Sequence, residues 1–213
     1  MKIDKKKPLP DHTKLDYDEF CAYLILKELF PDKYSDLEIK DKPDLQCDEL
    51  GIEVTIATDR KYQEALNNWV KACNCEDDIK RQKYITRMKQ LGVDYTGGIQ
   101  SWPIYAPSIE MISKAVRSKI TKLQKGDYRK YDNYELFVFS DLWMHEGVFN
   151  KVIEMLNDNG ALQFFKKIYI FEMGYVLHIF EKDNYSFIEI DKGEQSNRNI
   201  RAREMVEITE ETE

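Results

Sequence analysis

The chain has no run of eighteen apolar residues, so the sequence predicts no membrane-spanning helix. Its first residues, MKIDKKKPLPDH, are basic but lack the apolar core of a secretory signal. Cysteine is scarce: Cys21, Cys47, Cys73 and Cys75 follow no disulfide framework and form no CxxC pair, and they read as reduced thiols of a cytoplasmic protein. Histidine is scarcer still, with His12, His145 and His178 far apart, and His178 reads as a packed strand residue rather than a ligand. No GxSxG elbow, phosphate-binding P-loop or GxGxxG turn is present. These absences set aside serine-hydrolase, nucleotide-triphosphatase and dinucleotide-binding chemistry.

What remains is a chain with a sizeable core and a heavily charged surface. Of its 213 residues, 42% are apolar and 33% charged, enough apolar material for a stable α/β domain without staples. The net charge of −7 argues against a general nucleic-acid coat protein. The charge is uneven, however. Ser113 to Tyr131 holds seven basic residues and one acid, and KRQKYITRMK from Lys80 to Lys89 holds five basic residues and no acid. Each reads either as a solvated helix face or as a phosphate-facing surface.

The apolar periodicity predicts a helix from Asp16 to Phe30, started by Asp16 or Asp18 and ended by Pro31. Short strands follow at Leu37–Lys40 and Asp44–Cys47, then a turn and a strong strand, Gly51–Ala57, with Ile52, Val54 and Ile56 facing the core. Arg60–Leu91 is helical with a break near Asn74, and the glycines after it mark a loop. Ser108 opens a helix to Gln124 that Gly126 stops. A strand at Tyr134–Ser140, a helix at Gly147–Leu156 and strands at Lys167–Phe171, Tyr175–Glu181 and Tyr185–Ile190 complete the pattern. The expected organisation is a single domain over residues 16–191 with a helical insertion at 60–107. Flexible segments are expected at 1–15 and 192–213. The expected fold is α/β, a mixed central sheet flanked by helices.

The segment KPDLQCDELGIEVT concentrates acids that could do chemistry. Asp44 opens one strand and Glu53 lies on the next, across a tight turn, so neighbouring strands could bring both carboxylates to one end of the sheet. Paired carboxylates suit a hard divalent cation. Alternation gives Glu53 and Thr55 one face of their strand.

Pro43-Asp44, eight residues, then Glu53-x-Thr55 resembles the PD-(D/E)xK signature of restriction-endonuclease-like nucleases. The surrounding order of elements resembles the αβββαβ core of that superfamily, with extra strands at the C-terminus. The resemblance spans roughly Asp16 to Ser140. It implies a Mg²⁺- or Mn²⁺-dependent endonuclease acting on nucleic acid, DNA above all, with a homodimer as one assembly open to it and with Asp44 and Glu53 as metal ligands. Thr55 departs from it, because the family usually has lysine there. The family's relocated lysines point to the 109–124 helix. At 100° per residue Lys119 flanks the core stripe about 60° from Val116, and Lys122 lies about 120° away as second choice. A third acid on the first helix would be Glu19 or Glu28, with Glu19 preferred. Gln46 shares a face with Asp44. Lys114, Arg117, Lys122 and Lys125 are the candidate phosphate contacts. The alternatives are a catalytically inactive nuclease-fold module for binding or regulation in a defence or mobile-element system, and an unrelated interaction domain that uses the strands from Lys167 to Ile190 as its edge.

Overall fold

A computed structural model describes residues 16–125 and 130–211. The expected flexible N-terminus with His12, the helix stop at Gly126, the Asp127 and Arg129 charges and the last two residues lie outside the described residues. The chain separates into two compact units. One comprises residues 15–57 and 107–202, and the other is built mainly from residues 58–106.

The larger unit begins with α1 (Tyr17–Leu29). The Asp16 carboxylate accepts from the Asp18 and Glu19 amides and so satisfies donors that have no partner within the helix. Strands β1 (Glu38–Ile39), β2 (Leu45–Cys47) and β3 (Leu50–Ala57) follow as an antiparallel meander. After the intervening segment come α4 (Ile109–Gln124), β6 (Asn133–Ser140), α5 (Glu146–Asp158) and the short α6 (Ala161–Phe164). Strands β7 (Lys167–Glu172), β8 (Val176–Glu181) and β9 (Asn184–Glu189) are then joined by hairpins. The seven strands form one mixed sheet in the order β1-β2-β3-β6-β7-β8-β9, parallel at β3–β6 and β6–β7 and antiparallel elsewhere.

Side-chain alternation splits the sheet into two apolar faces. Ala57, Leu136, Val138, Ile168, Ile170 and Phe180 pack with Ile112, Val116 and Leu123 of α4 and Val152 and Leu156 of α5. Ile52, Val54, Phe137, Tyr169, Phe171 and Leu177 pack with Ala22, Ile25 and Leu26 of α1. The expected helices, strands and mixed sheet are therefore present.

Four expectations change. Ile56 is 39% exposed rather than in the core. The register of β2 reaches only to Ile52, so the far end of β3 has β6 as its one strand neighbour in the register. The glycine-marked loop contains a small hairpin, and helix α6 was not expected. Residues 192–211 are not a flexible tail but helix α7 (Lys192–Glu211). Asp191 accepts from the Gly193 and Glu194 amides at its start. Arg198 and Arg201 then clasp Glu28 of α1, and Ala202 is buried against Phe20, Cys21 and Leu24. A long polar helix gains its stability from such tertiary contacts.

The smaller unit is a helical hairpin of α2 (Arg60–Asn74) and α3 (Asp78–Gln90), capped by Asp59 and Asp77, with the two-stranded β4 (Asp94–Tyr95) and β5 (Ile99–Ser101). Its core is Ala65, Met88 and Val93 with Trp69 and Trp102 against them.

Among the described glycines, Gly51 has the closest neighbours. A Cβ there would lie 2.5 Å from Cγ of Pro43 and 3.1 Å from Cδ2 of Tyr131, both ring atoms. Gly51→Ala is expected to cost about 1–3 kcal/mol by overpacking. Gly98→Ala, which meets nothing within 4 Å, should stay within about 0.5 kcal/mol of the wild type. Urea titration of both variants checks this, and equal midpoints would contradict it.

Candidate functional site

β3 is apolar on the α1 side, at Ile52 and Val54, and carries Glu53 on the other side among Leu136 and Val138 of the neighbouring strand. Glu53 is wholly buried. Asp44 immediately precedes β2, on the face that Glu53 shares, because Leu45 opposes Ile52. Where β2 pairing ends, the Asp44 carboxylate takes over: its Oδ2 accepts from the Val54 amide at 2.7 Å. A backbone donor on β3 is thereby satisfied by the acid itself.

Lys119 enters from α4. It lies one turn from Val116 and is only 8% exposed, unlike the other cations of that helix. Its ammonium donates to Asp44 Oδ2 at 2.9 Å and to Glu53 Oε2 at 2.5 Å. Three side chains from three separate segments of the chain therefore converge. Burial pulls the Lys119 ammonium towards neutrality, but the Asp44 and Glu53 charges and hydrogen bonds more than reverse this and hold it above the usual lysine range. Glu53 is raised by burial first and by Asp44 second, with Lys119 opposing. One of its oxygens, Oε1, is buried with no hydrogen-bond partner. An unpartnered buried carboxylate oxygen is costly and marks a place where a donor or cation would be stabilising.

Glu19, near the start of α1, belongs to the same electrostatic group. Its carboxyl is pushed up to about 8 by burial, then by the charges of Asp44 and Asp16, with Lys119 opposing and Glu53 adding. It therefore holds a proton near neutral pH. Asp18 beside it is pushed up to about 7 by burial and by Asp16. Glu28 lies elsewhere, engaged by Arg198 and Arg201. Thr55 is half-buried on the Glu53 side of β3 and carries no charge. Lys122 is exposed and lowers the Glu53 pKa only at a distance.

Gln46 does not point its amide at the acids. It accepts from the Tyr131 hydroxyl at 2.6 Å and donates to the Pro43 and Asp41 carbonyls at 3.0 and 3.3 Å, which holds the segment leading into Asp44. Tyr131 has no sequence signal for this task, because the contact spans 85 residues. Of the candidate phosphate contacts, Lys114 and Arg117 are exposed but share Glu110, while Lys122 is exposed on the last turn of α4 and Lys125 is exposed at its C-cap. Away from this site, His178 is packed between Glu172 and Tyr185, each at 2.7 Å. Among the described residues no group of three or more His, Cys, Asp or Glu side chains is arranged to hold a metal ion. No helix there is long and apolar enough to cross a membrane.

Comparison with protein-family models, with characterised proteins and with solved structures finds no match to this chain.

Removing one partner of a buried ion pair strands the others. Lys119→Met is expected to lower stability by about 3–5 kcal/mol, and adding Glu53→Gln should recover part of that loss. A double-mutant cycle by urea unfolding measures the coupling, and strictly additive effects would contradict it.

The raised acids set a pH dependence. Folded Glu19 and Asp18 keep protons that the unfolded chain, with ordinary values of 4.5 and 3.8, has already released. The folded state binds more protons between about pH 4 and pH 8, so stability falls as pH rises through that window. Glu19→Gln with Asp18→Asn should flatten this fall, as read from urea midpoints at pH 5.5 and 8.5. An unchanged slope counts against the assignment.

Proposed function

We propose that this chain is a metal-dependent phosphodiester hydrolase, a nuclease of the PD-(D/E)xK kind, acting on DNA. The observation that carries the reading is the convergence of Lys119 with Asp44, 75 residues away in the chain, and with Glu53, 66 residues away. The order α1, β1-β2-β3, α4, β6, with residues 58–106 inserted, is the αβββαβ order of that superfamily, and this supports the same reading. Lys119 supplies from α4 the ammonium that Thr55 cannot supply from β3.

The residues suit a hard divalent ion such as Mg²⁺ or Mn²⁺. Asp44 and Glu53 offer oxygen donors, and Glu53 has a buried oxygen still without a partner. Two carboxylates are sufficient, because Mg²⁺ is commonly held by one or two carboxylates and keeps several waters. Asp44, Glu53 and the Val54 carbonyl would hold the ion. When bound, it polarises the scissile phosphate and lowers the pKa of the attacking water. The chain's own residues do the rest. Lys119 hydrogen-bonds the phosphate oxygens as negative charge develops. Glu19 keeps an exchangeable proton at the same end of the sheet. Lys122 on the last turn of α4 and Lys125 at its C-cap, both exposed, hold the substrate backbone.

A second reading, an inactive nuclease-fold protein that binds or regulates, is favoured by one feature: the ammonium already sits against both carboxylates. Asp44→Ala and Glu53→Ala are each expected to abolish Mg²⁺- or Mn²⁺-dependent cleavage of plasmid and oligonucleotide DNA. Lys119→Ala should reduce it by about 10²–10³-fold. Full activity in both carboxylate variants would overturn the nuclease reading. A wild type that neither cleaves nor binds metal by calorimetry would establish the inactive one.

A further inference from the structure

The ammonium of Lys119 contacts the same two carboxylates that would hold a cation. Its Nζ is 2.5 Å from Glu53 Oε2 and 2.9 Å from Asp44 Oδ2, and its side chain is 10% exposed while that of Glu53 is wholly buried. A monovalent charge cancels only one of two carboxylate charges, and it leaves Glu53 Oε1 unpartnered. A divalent ion cancels both and can use that oxygen. It cannot share the place: oxygen distances of about 2.1 Å to such an ion would set it within a few ångströms of an ammonium this close to the same carboxylates. Like charges that near each other in a poorly hydrated site repel strongly.

We propose that Lys119 is the site's resident counter-ion, displaced from between Asp44 and Glu53 when a divalent cation binds. The inference rests on the metal-dependent reading above and adds to it a regulation of that site. Without metal, the lysine neutralises buried charge and holds α4 against β3. With metal, the same ammonium turns outward and becomes available to a phosphate. Cation binding thus both loads the site and arms its lysine. The geometry favours displacement over simple proximity because both bonds of the ammonium go to the two ligands themselves, and the hydrogen-bond capacity it would leave is what a cation would take up.

The test uses Mn²⁺ and Mg²⁺ alone, with the full chain. In calorimetry, Lys119→Met is expected to bind Mn²⁺ at least about tenfold more tightly than the wild type, the scale of one like charge removed from a partly buried site. Its thermal midpoint should rise more on Mn²⁺ addition than that of the wild type. If Lys119→Met fails to fold without metal, the wild type supplies the reading. A protected lysine ammonium resonance, assigned to Lys119 by its loss in Lys119→Arg, should shift or vanish during Mg²⁺ titration. Equal or weaker Mn²⁺ binding by the variant overturns the displacement and leaves the metal site standing, as does a Lys119 resonance unmoved at saturating Mg²⁺. No binding by either protein removes the metal site itself, and the displacement with it.

Discussion

Two carboxylates held within reach of one ammonium are the constraint on which the rest of this fold turns. Glu53 is buried in a sheet face otherwise lined by Leu136, Val138 and Ala57, where an ionised side chain has no water to solvate it. Such a group is tolerated only when a compensating charge arrives with good geometry. That charge comes from α4, so the helix must lie across β3 in one register. Its apolar residues Ile112, Val116 and Leu123 set that register. Packing and electrostatics therefore specify one placement of the helix.

The carboxylate pair is also tied to the backbone. Asp44 fills the vacancy left where β2 stops pairing with β3, by accepting the Val54 amide. The segment ahead of it is held by Gln46 and Tyr131 and pressed against Gly51. None of these residues carries charge, yet they fix the direction of the acid. Supporting contacts of this kind commonly fix the orientation of a site's charged groups.

Much of this was legible in the residues. Period-two alternation at Ile52 and Val54 located the strand and put Glu53 on its opposite side. The 3.6-residue stripe of the 109–124 helix singled out Lys119 over Lys122, because three residues from a buried valine is still near the core while six is not. The mixed sheet followed from the spacing of strands and hairpin turns. Other features were not legible, for identifiable reasons. Helix α7 has almost no apolar stripe, and it is tertiary contacts such as its ion pairs with Glu28 and its buried Ala202 that reveal it. Ile56 continues the alternation but lies beyond the point where β2 ends, a matter of neighbours rather than of periodicity. Gln46 shares a face with Asp44, but its partner Tyr131 is too distant in the chain for any local pattern to suggest.

In the chain, Asp44 and Glu53 come before residues 58–106 and Lys119 comes after them. The closure entropy of such an excursion grows only logarithmically with its length. Lineages could therefore lengthen, shorten or exchange that segment at small thermodynamic cost while the side chains at its two roots stay in place. The excursion is a place where such a protein can change in length without disturbing the cluster of Asp44, Glu53 and Lys119.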